Sequence, residues 1–279
     1  MPELPEVETL ARDLQRLLPG AAVDHAEVLW ARSVAAPDAA GLIDQVAGRE
    51  ILSVGRRGKF VVLSLSGPLF LLIHLRMSGR LLVQPPGAAY DQHARAVVHL
   101  SDGRQLLFSD PRKFGRIYVT ADLHAVTGGL GREPLDARFT LREFRSLLAG
   151  RRGALKPLLL RQDVLAGLGN IYADEVLFAA GLHPRRKADG LFPAEEQRLY
   201  RSIRTVLRRA IHNRGTTLPD SRYRDAEGRP GAHQERLCVY QRHGEPCVRC
   251  GTPIERSVIA QRGTHYCPNC QRETADCTG

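Results

Sequence analysis

The sequence predicts an α+β protein with a β-sandwich behind a leading helix, then a helical region, then a short cysteine-bearing segment. Three observations carry this prediction. Strand-like apolar runs fill positions 21–120, and they give way to helical spacing beyond the glycine-rich stretch at 128–131. Two CxxC pairs then fall within 247–270.

The first predicted element is a helix over residues 5–18. Pro5 suits the first helical position, and Pro19-Gly20 ends the apolar pattern. The apolar residues that recur at helical spacing are Val7, Leu10, Leu14, Leu17 and Leu18.

Strands follow. β-rich runs at 51–54 and 60–63 lead through the turn Ser66-Gly67-Pro68 into a run at 69–75. The runs 97–100 and 106–108 flank Ser101-Asp102-Gly103 and predict a hairpin. We therefore expect an antiparallel β-sandwich or barrel with one helix in front of it.

The second half begins after Gly128–Gly131 and Pro134. Thr140-x-x-Glu143 is a capping box that opens a helix ending at Gly150. A turn at 165–169 leads into a helix over 171–180, and a long amphipathic helix closes at Gly215. Residues 216–236 are polar and contain Gly and Pro, so we expect a mobile loop there.

Composition indicates a soluble globular protein, with 43% hydrophobic and 25% charged residues. Its 279 residues suffice for two domains with separate cores. No apolar run approaches the ~20 residues of a membrane span. Three glutamates among the first eight residues argue against a basic targeting peptide. We expect a cytoplasmic protein without a membrane partner.

The net charge of +10 lies mainly in the second half. Residues 1–135 hold 15 basic and 14 acidic side chains, whereas 136–279 hold 25 and 16. A basic half suits a polyanion, because neutralising phosphates releases counterions. An arginine-rich solvated surface explains the charge equally well. Only four of the 40 basic residues are lysines: Lys59, Lys113, Lys156 and Lys187. Because arginine is the usual basic residue in this chain, each lysine needs its own explanation.

Two CxxC pairs separated by sixteen residues suit one tetrahedral Zn²⁺ bound by Cys247, Cys250, Cys267 and Cys270. Two disulfides are the alternative, which a cytoplasmic location disfavours. The site lacks a further nearby ligand candidate, so we expect a structural zinc. Cys238 stands in an apolar stretch and is expected to be a core thiol, and Cys277 is expected to lie in a frayed tail.

The chain opens Met1-Pro2-Glu3-Leu4-Pro5-Glu6. Removal of Met1 would leave Pro2 as a secondary amine, and an α-amine has a pKa near ~7.7–8. Attack by such an amine on an aldehyde-like carbon gives an iminium, and Glu3 stands beside it as a proton donor. Alternatively, Pro2 only permits removal of Met1, and the acids complement the helix N-terminus. This segment alone favours the second interpretation.

Taken together, the motifs resemble bacterial formamidopyrimidine-DNA glycosylase. The matching blocks occur in order along nearly the whole chain. They are MPELPEVET at 1–9, GRRGK at 55–59, HLRMSG at 74–79, DPRKFG at 110–115, GLGNIYA at 167–173 and QRGTHYC at 261–267.

The resemblance implies a bifunctional glycosylase and abasic-site lyase that removes oxidised purines, such as 8-oxoguanine and formamidopyrimidines, from duplex DNA. Pro2 would attack C1′ and form a Schiff base, with Glu3 as proton donor at the sugar. Lys59 would serve β-elimination, and an amine, unlike a guanidinium, can exchange a proton. Arg262 would serve δ-elimination and grip phosphate. No redox or organic cofactor is expected.

The resemblance also implies DNA contacts. Met77, in a polar turn, suits a wedge into the duplex when the target base is everted. Arg112 and Phe114 correspond to the pair that faces the orphaned base; without the resemblance, Phe114 would be predicted as core. Residues implied to bind the DNA backbone are His74, His93, Arg152, Lys156 and Asn170.

In domain terms, the resemblance implies an N-terminal β-sandwich catalytic domain at 1–130. A helix–two-turns–helix DNA-binding domain follows at 131–235, and a zinc ribbon at 236–279. DNA would lie in the basic cleft between the halves of a monomer. Two features depart from the family pattern: Arg161 stands where an acid is expected, and the loop 216–236, which cups the everted base, matches only loosely.

Two other functions stay open. The related endonuclease VIII type prefers oxidised pyrimidines, but Leu4 and the Arg112/Phe114 pair favour the purine enzyme. A zinc-ribbon DNA-binding protein that has lost catalysis is the other alternative. The presence of Pro2, Glu3 and Lys59 argues against it.

Overall fold

A computed structural model describes residues 1–219 and 223–273 of the chain. Contacts within the chain define two compact units. The first unit comprises residues 1–129 and 211–234, and the second comprises 130–210 and the chain from 235 onward. The division into three domains at 130 and 235 stays a prediction.

Three helices belong to the first unit: α1 (Leu4–Leu17), α2 (Ala39–Val46) and α3 (Leu123–Thr127). The predicted helix α1 is confirmed, with Glu3 as its N-cap residue in a capping box with Glu6. The sequence did not single out α2 and α3. Each begins at an aspartate, Asp38 or Asp122, whose carboxylate accepts a hydrogen bond from a backbone N–H of the first turn.

Nine strands of the first unit form two sheets. The strands are β1 (Val23–Val28), β2 (Val34–Ala36), β3 (Ile51–Arg57), β4 (Phe60–Leu65), β5 (Leu69–His74), β6 (Arg80–Gln84), β7 (Ala94–Leu100), β8 (Gln105–Ser109) and β9 (Arg116–Thr120). One sheet has the order β2-β9-β5-β4-β3 and the other β1-β7-β8-β6. All neighbours are antiparallel except β2 and β9, which run parallel. The predicted β7–β8 hairpin is confirmed.

Both sheets and α1 share one hydrophobic core, which confirms the predicted sandwich. Leu10 and Leu14 of α1 are fully buried, and Leu71 of β5 and Val98 and Phe108 of the second sheet join the same cluster. Burial of each such side chain stabilises the fold by about 1.5–3 kcal/mol. This packing fixes the beginning of α1, and hence the residues just before it, against the sandwich.

The segment 211–234 also packs in the first unit. Ala226 is fully buried in the sandwich core, and its carbonyl accepts a hydrogen bond from the N–H of Val83 at 2.9 Å. The hydroxyl of buried Tyr223 donates to the carbonyl of Glu6 at 3.2 Å. These contacts anchor the described part of the loop, whose mobility stays a prediction. Residues 220–222 of it lie outside the described residues.

The second unit carries α4 (Leu141–Leu148), α5 (Leu155–Leu160), α6 (Asn170–Ala180), most of α7 (Pro193–His212) and the hairpin β10 (Glu255–Ile259) and β11 (Arg262–Tyr266). The capping box at α4 is confirmed, since Thr140 and Glu143 exchange side chain-to-backbone hydrogen bonds. α6 and α7 confirm the other predicted helices. Among the described residues, no helix is both long and apolar enough to span a bilayer.

Candidate active site and metal centre

The amino-terminal residues are held in place by the Glu6 carboxylate. One of its oxygens accepts a hydrogen bond from the N–H of Glu3 at 2.8 Å, and the other from the N–H of Thr216 at 2.7 Å. Glu3 and Glu6 are both almost completely buried, and Pro2 is buried beside them. Glu6 therefore links the segment after Pro2 to the loop that follows α7.

Lys59 lies in the two-residue turn between β3 and β4. Gly58 precedes it with a φ of +56°, a conformation that glycine adopts without steric cost and that a type II′ hairpin turn needs at its first position. Lys59 is only 6% exposed. Burial of a charged amine costs free energy unless the amine has a partner. The two-residue turn fixes the backbone that carries this buried side chain.

His74 ends β5 and pairs across the sheet with Phe60, the residue after Lys59. Burial, with the positive charges of Arg76 and Lys59, lowers the pKa of His74 to about 3. Its Nδ1 accepts a hydrogen bond from the N–H of Arg76 at 3.0 Å. The imidazole is therefore neutral near pH 7 with its proton on Nε2, so it can donate a hydrogen bond to a phosphate without adding charge.

Asp110 is the fully buried residue that brings together two predicted DNA-contacting segments. One carboxylate oxygen accepts hydrogen bonds from the Ser78 hydroxyl at 2.5 Å and from the N–H of Arg112 at 3.2 Å. The other accepts from the N–H of Gly115 at 2.7 Å. The turn bearing Met77 and the loop 110–115 are thus joined. We assigned Asp110 no role from the sequence, although aspartates commonly bond backbone N–H groups in turns.

Met77 and Phe114 are 41% and 47% exposed, unlike core residues. The Arg112 guanidinium lies 5.1 Å from the centre of the Phe114 ring. Lys113, in a left-handed conformation with φ of 59°, places its ammonium 4.0 Å from the centre of the Trp30 ring. His93 immediately precedes β7, and its carbonyl accepts a hydrogen bond from the N–H of Asp110 at 2.8 Å.

In the second unit, Lys156 is fully buried, and its contact with the DNA backbone stays a prediction. Its ammonium donates to the carbonyl of Gly263 and the hydroxyl of Thr264, both at 2.8 Å, and lies 2.7 Å from Asp174. The Asn170 amide also donates to the Gly263 carbonyl, at 3.0 Å. These side chains hold the β11 backbone immediately after the exposed Arg262, while Arg152 is exposed as expected.

Two acids of α6, Asp174 and Glu175, are functional supports that sequence reasoning missed. Asp174 accepts a hydrogen bond from the N–H of His265 at 2.9 Å. Glu175 accepts from three consecutive backbone N–H groups, those of residues 238–240, at 2.8–2.9 Å. Adjacent acids within an apolar helix were a signal, because buried carboxylates require such partners.

The four predicted zinc ligands converge, with sulfur atoms within 4.8 Å of one another. Sγ of Cys250 lies 3.5 Å from those of Cys267 and Cys270, and Sγ of Cys247 lies 3.9 Å from that of Cys270. A tetrahedral zinc with bonds of about 2.3 Å separates its sulfurs by about 3.8 Å, whereas a disulfide needs about 2.05 Å. The residues therefore fit one structural zinc ion, and the disulfide alternative is rejected.

Cys238 lies outside this cluster, half-buried against the apolar residues around it. Burial raises its pKa to about 11, as expected of an unreactive thiol. Cys277 lies outside the described residues. Arg161, the departure from the family pattern, forms an exposed ion pair with Asp163 and lines an open depression with Arg151 and Arg152.

Comparisons with known proteins agree with this arrangement. Residues 1–117 match the formamidopyrimidine-DNA glycosylase N-terminal domain, and 130–221 match the H2TH domain of the same enzyme. Residues 244–272 match a zinc finger found in FPG and IleRS. The chain is 48% identical over 275 residues to formamidopyrimidine-DNA glycosylase from Roseiflexus sp. (strain RS-1), covering 98% of this chain and 100% of the relative.

Solved structures agree too. A complex of Lactococcus lactis Fpg with abasic-site DNA superposes with a TM-score of 0.90 at 34% identity, covering 97% of this chain and 99% of that one. The MutM (FPG) protein of Thermus thermophilus gives a TM-score of 0.88 at 42% identity, covering 98% and 100%. The chain therefore belongs to the formamidopyrimidine-DNA glycosylase family and is a DNA-binding glycosylase of base-excision repair.

Proposed function

We propose that this enzyme excises oxidised purines, 8-oxoguanine and formamidopyrimidines among them, from duplex DNA and then cleaves the strand. The observation that carries the proposal is the burial of three ionisable side chains of the first unit, Glu3, Glu6 and Lys59, with Glu3 and Glu6 hydrogen-bonded to each other just after Pro2. Ionisable groups gathered in a protein interior cost stability, and they are typical of catalytic sites. Relatives solved with formamidopyrimidine-containing DNA support the substrate class.

The proposed chemistry begins at Pro2 after Met1 has been removed, because an acylated proline nitrogen cannot attack. The amine nitrogen forms a bond to C1′ while the bond from C1′ to the base breaks, and the base leaves with the proton that the amine nitrogen loses. Glu3 protonates the ring oxygen of the sugar as the base departs, which opens the ring and leaves an iminium between Pro2 and C1′, so base release depends on Glu3.

Strand cleavage follows from the iminium, which acts as an electron sink. Loss of a proton from C2′ expels the 3′-phosphate by β-elimination, and we assign the proton exchange to the Lys59 amine. A second elimination expels the 5′-phosphate, and we assign its stabilisation to Arg262. Water then hydrolyses the Schiff base and regenerates Pro2.

The remaining predicted residues would hold the DNA. Met77, Arg112 and Phe114 fill the space left by the everted base, since their side chains are exposed and Asp110 joins the turn and the loop that carry them. His74, His93, Arg152 and Asn170 contact the DNA backbone, and Lys156 acts by fixing the strand that bears Arg262. The zinc ion supplies only structural crosslinking of the four thiolates. We propose that the enzyme works in the cytoplasm as a monomer.

Oxidised pyrimidines are a second candidate substrate class. Lactococcus lactis Fpg, similar to this chain with a TM-score of 0.89, has been solved with DNA containing an oxidised pyrimidine. The rates at which the enzyme excises oxidised purines and oxidised pyrimidines from otherwise identical duplexes should therefore be compared. We expect the purine lesions to be removed faster.

The test is borohydride trapping of the full chain on duplex DNA that contains 8-oxoguanine, followed by peptide mass spectrometry. We expect a covalent adduct on the amino-terminal peptide, at Pro2, in protein whose intact mass lacks Met1. An adduct on Lys59 or another residue, or no adduct, would overturn the mechanism. So would active protein that retains Met1.

The substitution Glu3→Gln should separate base release from strand cleavage at an abasic site. We expect base release to slow strongly, while cleavage of a preformed abasic site, whose sugar already opens to an aldehyde, is much less affected. Glu50→Gln is the matched control, because Glu50 is an exposed glutamate of the same unit. Equal slowing of both steps by Glu3→Gln would contradict the assigned role.

A further inference from the structure

Three side chains capable of binding a metal lie together on the outer face of the β1–β7 pair, away from the proposed active-site residues. His25 on β1 is paired directly with His99 on β7. Glu27 lies two residues beyond His25 and therefore projects from the same face, because side chains alternate along a strand. Ala26, between them, points into the core. The ligand atoms of the three residues lie within 4.8 Å of one another.

The imidazole nitrogens and the carboxylate oxygen of these three residues, the atoms that could bind a metal, lie close together. Nε2 of His99 lies 2.7 Å from a carboxylate oxygen of Glu27. The rings of His25 and His99 are stacked, with centroids 4.1 Å apart and planes 8° from parallel.

Two neighbours orient these donors. The Asp24 carboxylate lies 2.8 Å from Nδ1 of His25, which places the proton of the neutral imidazole there and leaves Nε2 as the acceptor. The Tyr90 hydroxyl donates to Glu27 at 3.0 Å and helps to fix the position of the carboxylate.

We propose that His25, Glu27 and His99 bind a second divalent transition-metal ion, separate from the zinc held by the four cysteines. Two imidazoles and one carboxylate form a ligand set that Zn²⁺ accepts, with a fourth position left to water. The local charge also favours a cation, since the carboxylates of Asp24 and Glu27 lie next to the two imidazoles.

Binding requires one local movement. Lone pairs of stacked parallel rings do not converge, so the His25 ring must tilt until both imidazole nitrogens face the ion. His25 is exposed, at the edge strand of its sheet, and has room to rotate. The ion then replaces the hydrogen bond between His99 and Glu27 with bonds from both groups to one centre.

The experiment measures zinc stoichiometry by mass spectrometry of the metal in full-length protein without a histidine tag, equilibrated with micromolar Zn²⁺ and desalted. We expect two zinc ions per wild-type chain and one in His99→Gln or His25→Gln, with excision activity unchanged. Asp24→Asn should weaken the second site about 10- to 100-fold, because it removes the group that orients His25.

His212→Gln is the matched control, since His212 is an exposed histidine of the same unit outside the cluster. It should retain two ions. Circular dichroism confirms that each variant is folded, and the outward position of the cluster makes the substitutions tolerable. One ion in the wild-type chain, or two in His99→Gln, would overturn the proposal.

Discussion

Lys156 and Asp174 form an ion pair between two completely buried side chains, with 2.7 Å between Nζ and Oδ1. Lys156 belongs to α5 and Asp174 to α6, and both also bond the backbone or side chains of β11. Lys156, which the resemblance implies is a DNA contact, therefore also links the helices to the zinc hairpin.

Loss of one partner of this pair should destabilise the second unit. Lys156→Met leaves the Asp174 charge buried without its partner, at a cost of about 3–5 kcal/mol in the free energy of unfolding. Urea unfolding followed by circular dichroism measures this change. Arg152→Met, at an exposed arginine nearby in sequence, should cost little; an equally small cost for Lys156→Met would contradict the buried-link interpretation.

The salt dependence of DNA binding should distinguish a phosphate contact by Arg152 from an internal structural role of Lys156. If Arg152 contacts a phosphate, Arg152→Met reduces the slope of log affinity against log salt concentration by about 0.9. Lys156→Met should weaken binding with the slope unchanged, because no counterion is released at a buried amine. A titration of duplex binding at several salt concentrations checks this, and a smaller slope in Lys156→Met would restore the direct contact.

Acid should destabilise the first unit through His74. Its folded pKa of about 3 lies below the unfolded value of about 6.5, so the unfolded chain binds the additional proton between these limits. The contribution of the neutral His74 to the free energy of unfolding is therefore fully present above pH 6.5 and decreases as the pH falls. The loss reaches about 2 kcal/mol at pH 5.

The check is the difference in unfolding free energy between pH 7.5 and pH 5. His74→Gln should lose about 2 kcal/mol less than the wild type over this range. His124→Gln, at an exposed histidine of the same unit, serves as the control. Identical pH dependence in wild type and His74→Gln would show that the imidazole is not held neutral.

Removal of zinc should disorder the hairpin that bears Arg262. The four thiolates hold the segment after residue 244, and its own apolar cluster is small, with Val239 and Ile254 among its few members. Chelation should therefore release one cysteine-bound ion and abolish retention on damaged duplex, while the sandwich stays folded. Hydrogen exchange of the two units is the measurement. Unchanged protection of β10 and β11 after zinc loss would be the contrary result.

Cys238 should be unreactive toward alkylating reagents at neutral pH. Only the thiolate reacts, and a pKa of about 11 leaves almost none of it. We expect the iodoacetamide labelling rate of Cys238 in zinc-loaded protein to rise with pH until beyond pH 10. Peptide mass spectrometry follows it, and labelling as fast as that of free cysteine at pH 8 would be incompatible with this environment.

The sequence by itself determined the elements with strong local signals. Thr140 and Glu143 specify a helix start through their own hydrogen bonds, and the CxxC spacing specifies a zinc site, because these interactions lie within a few residues. The ordered motifs likewise identified the family before any contact was known. The short strands β2 and β9, which pair in parallel, lacked such a signal.

Only the tertiary structure decided which polar residues face the interior. Lys156 and Arg152 look alike in sequence, yet one is buried and the other exposed, since burial depends on partners more than one hundred residues away, such as Gly263 and Thr264. The same holds for Asp110, and for His25 and His99, which strand pairing brings together. Long-range packing, and the need to satisfy every buried charge, set these positions.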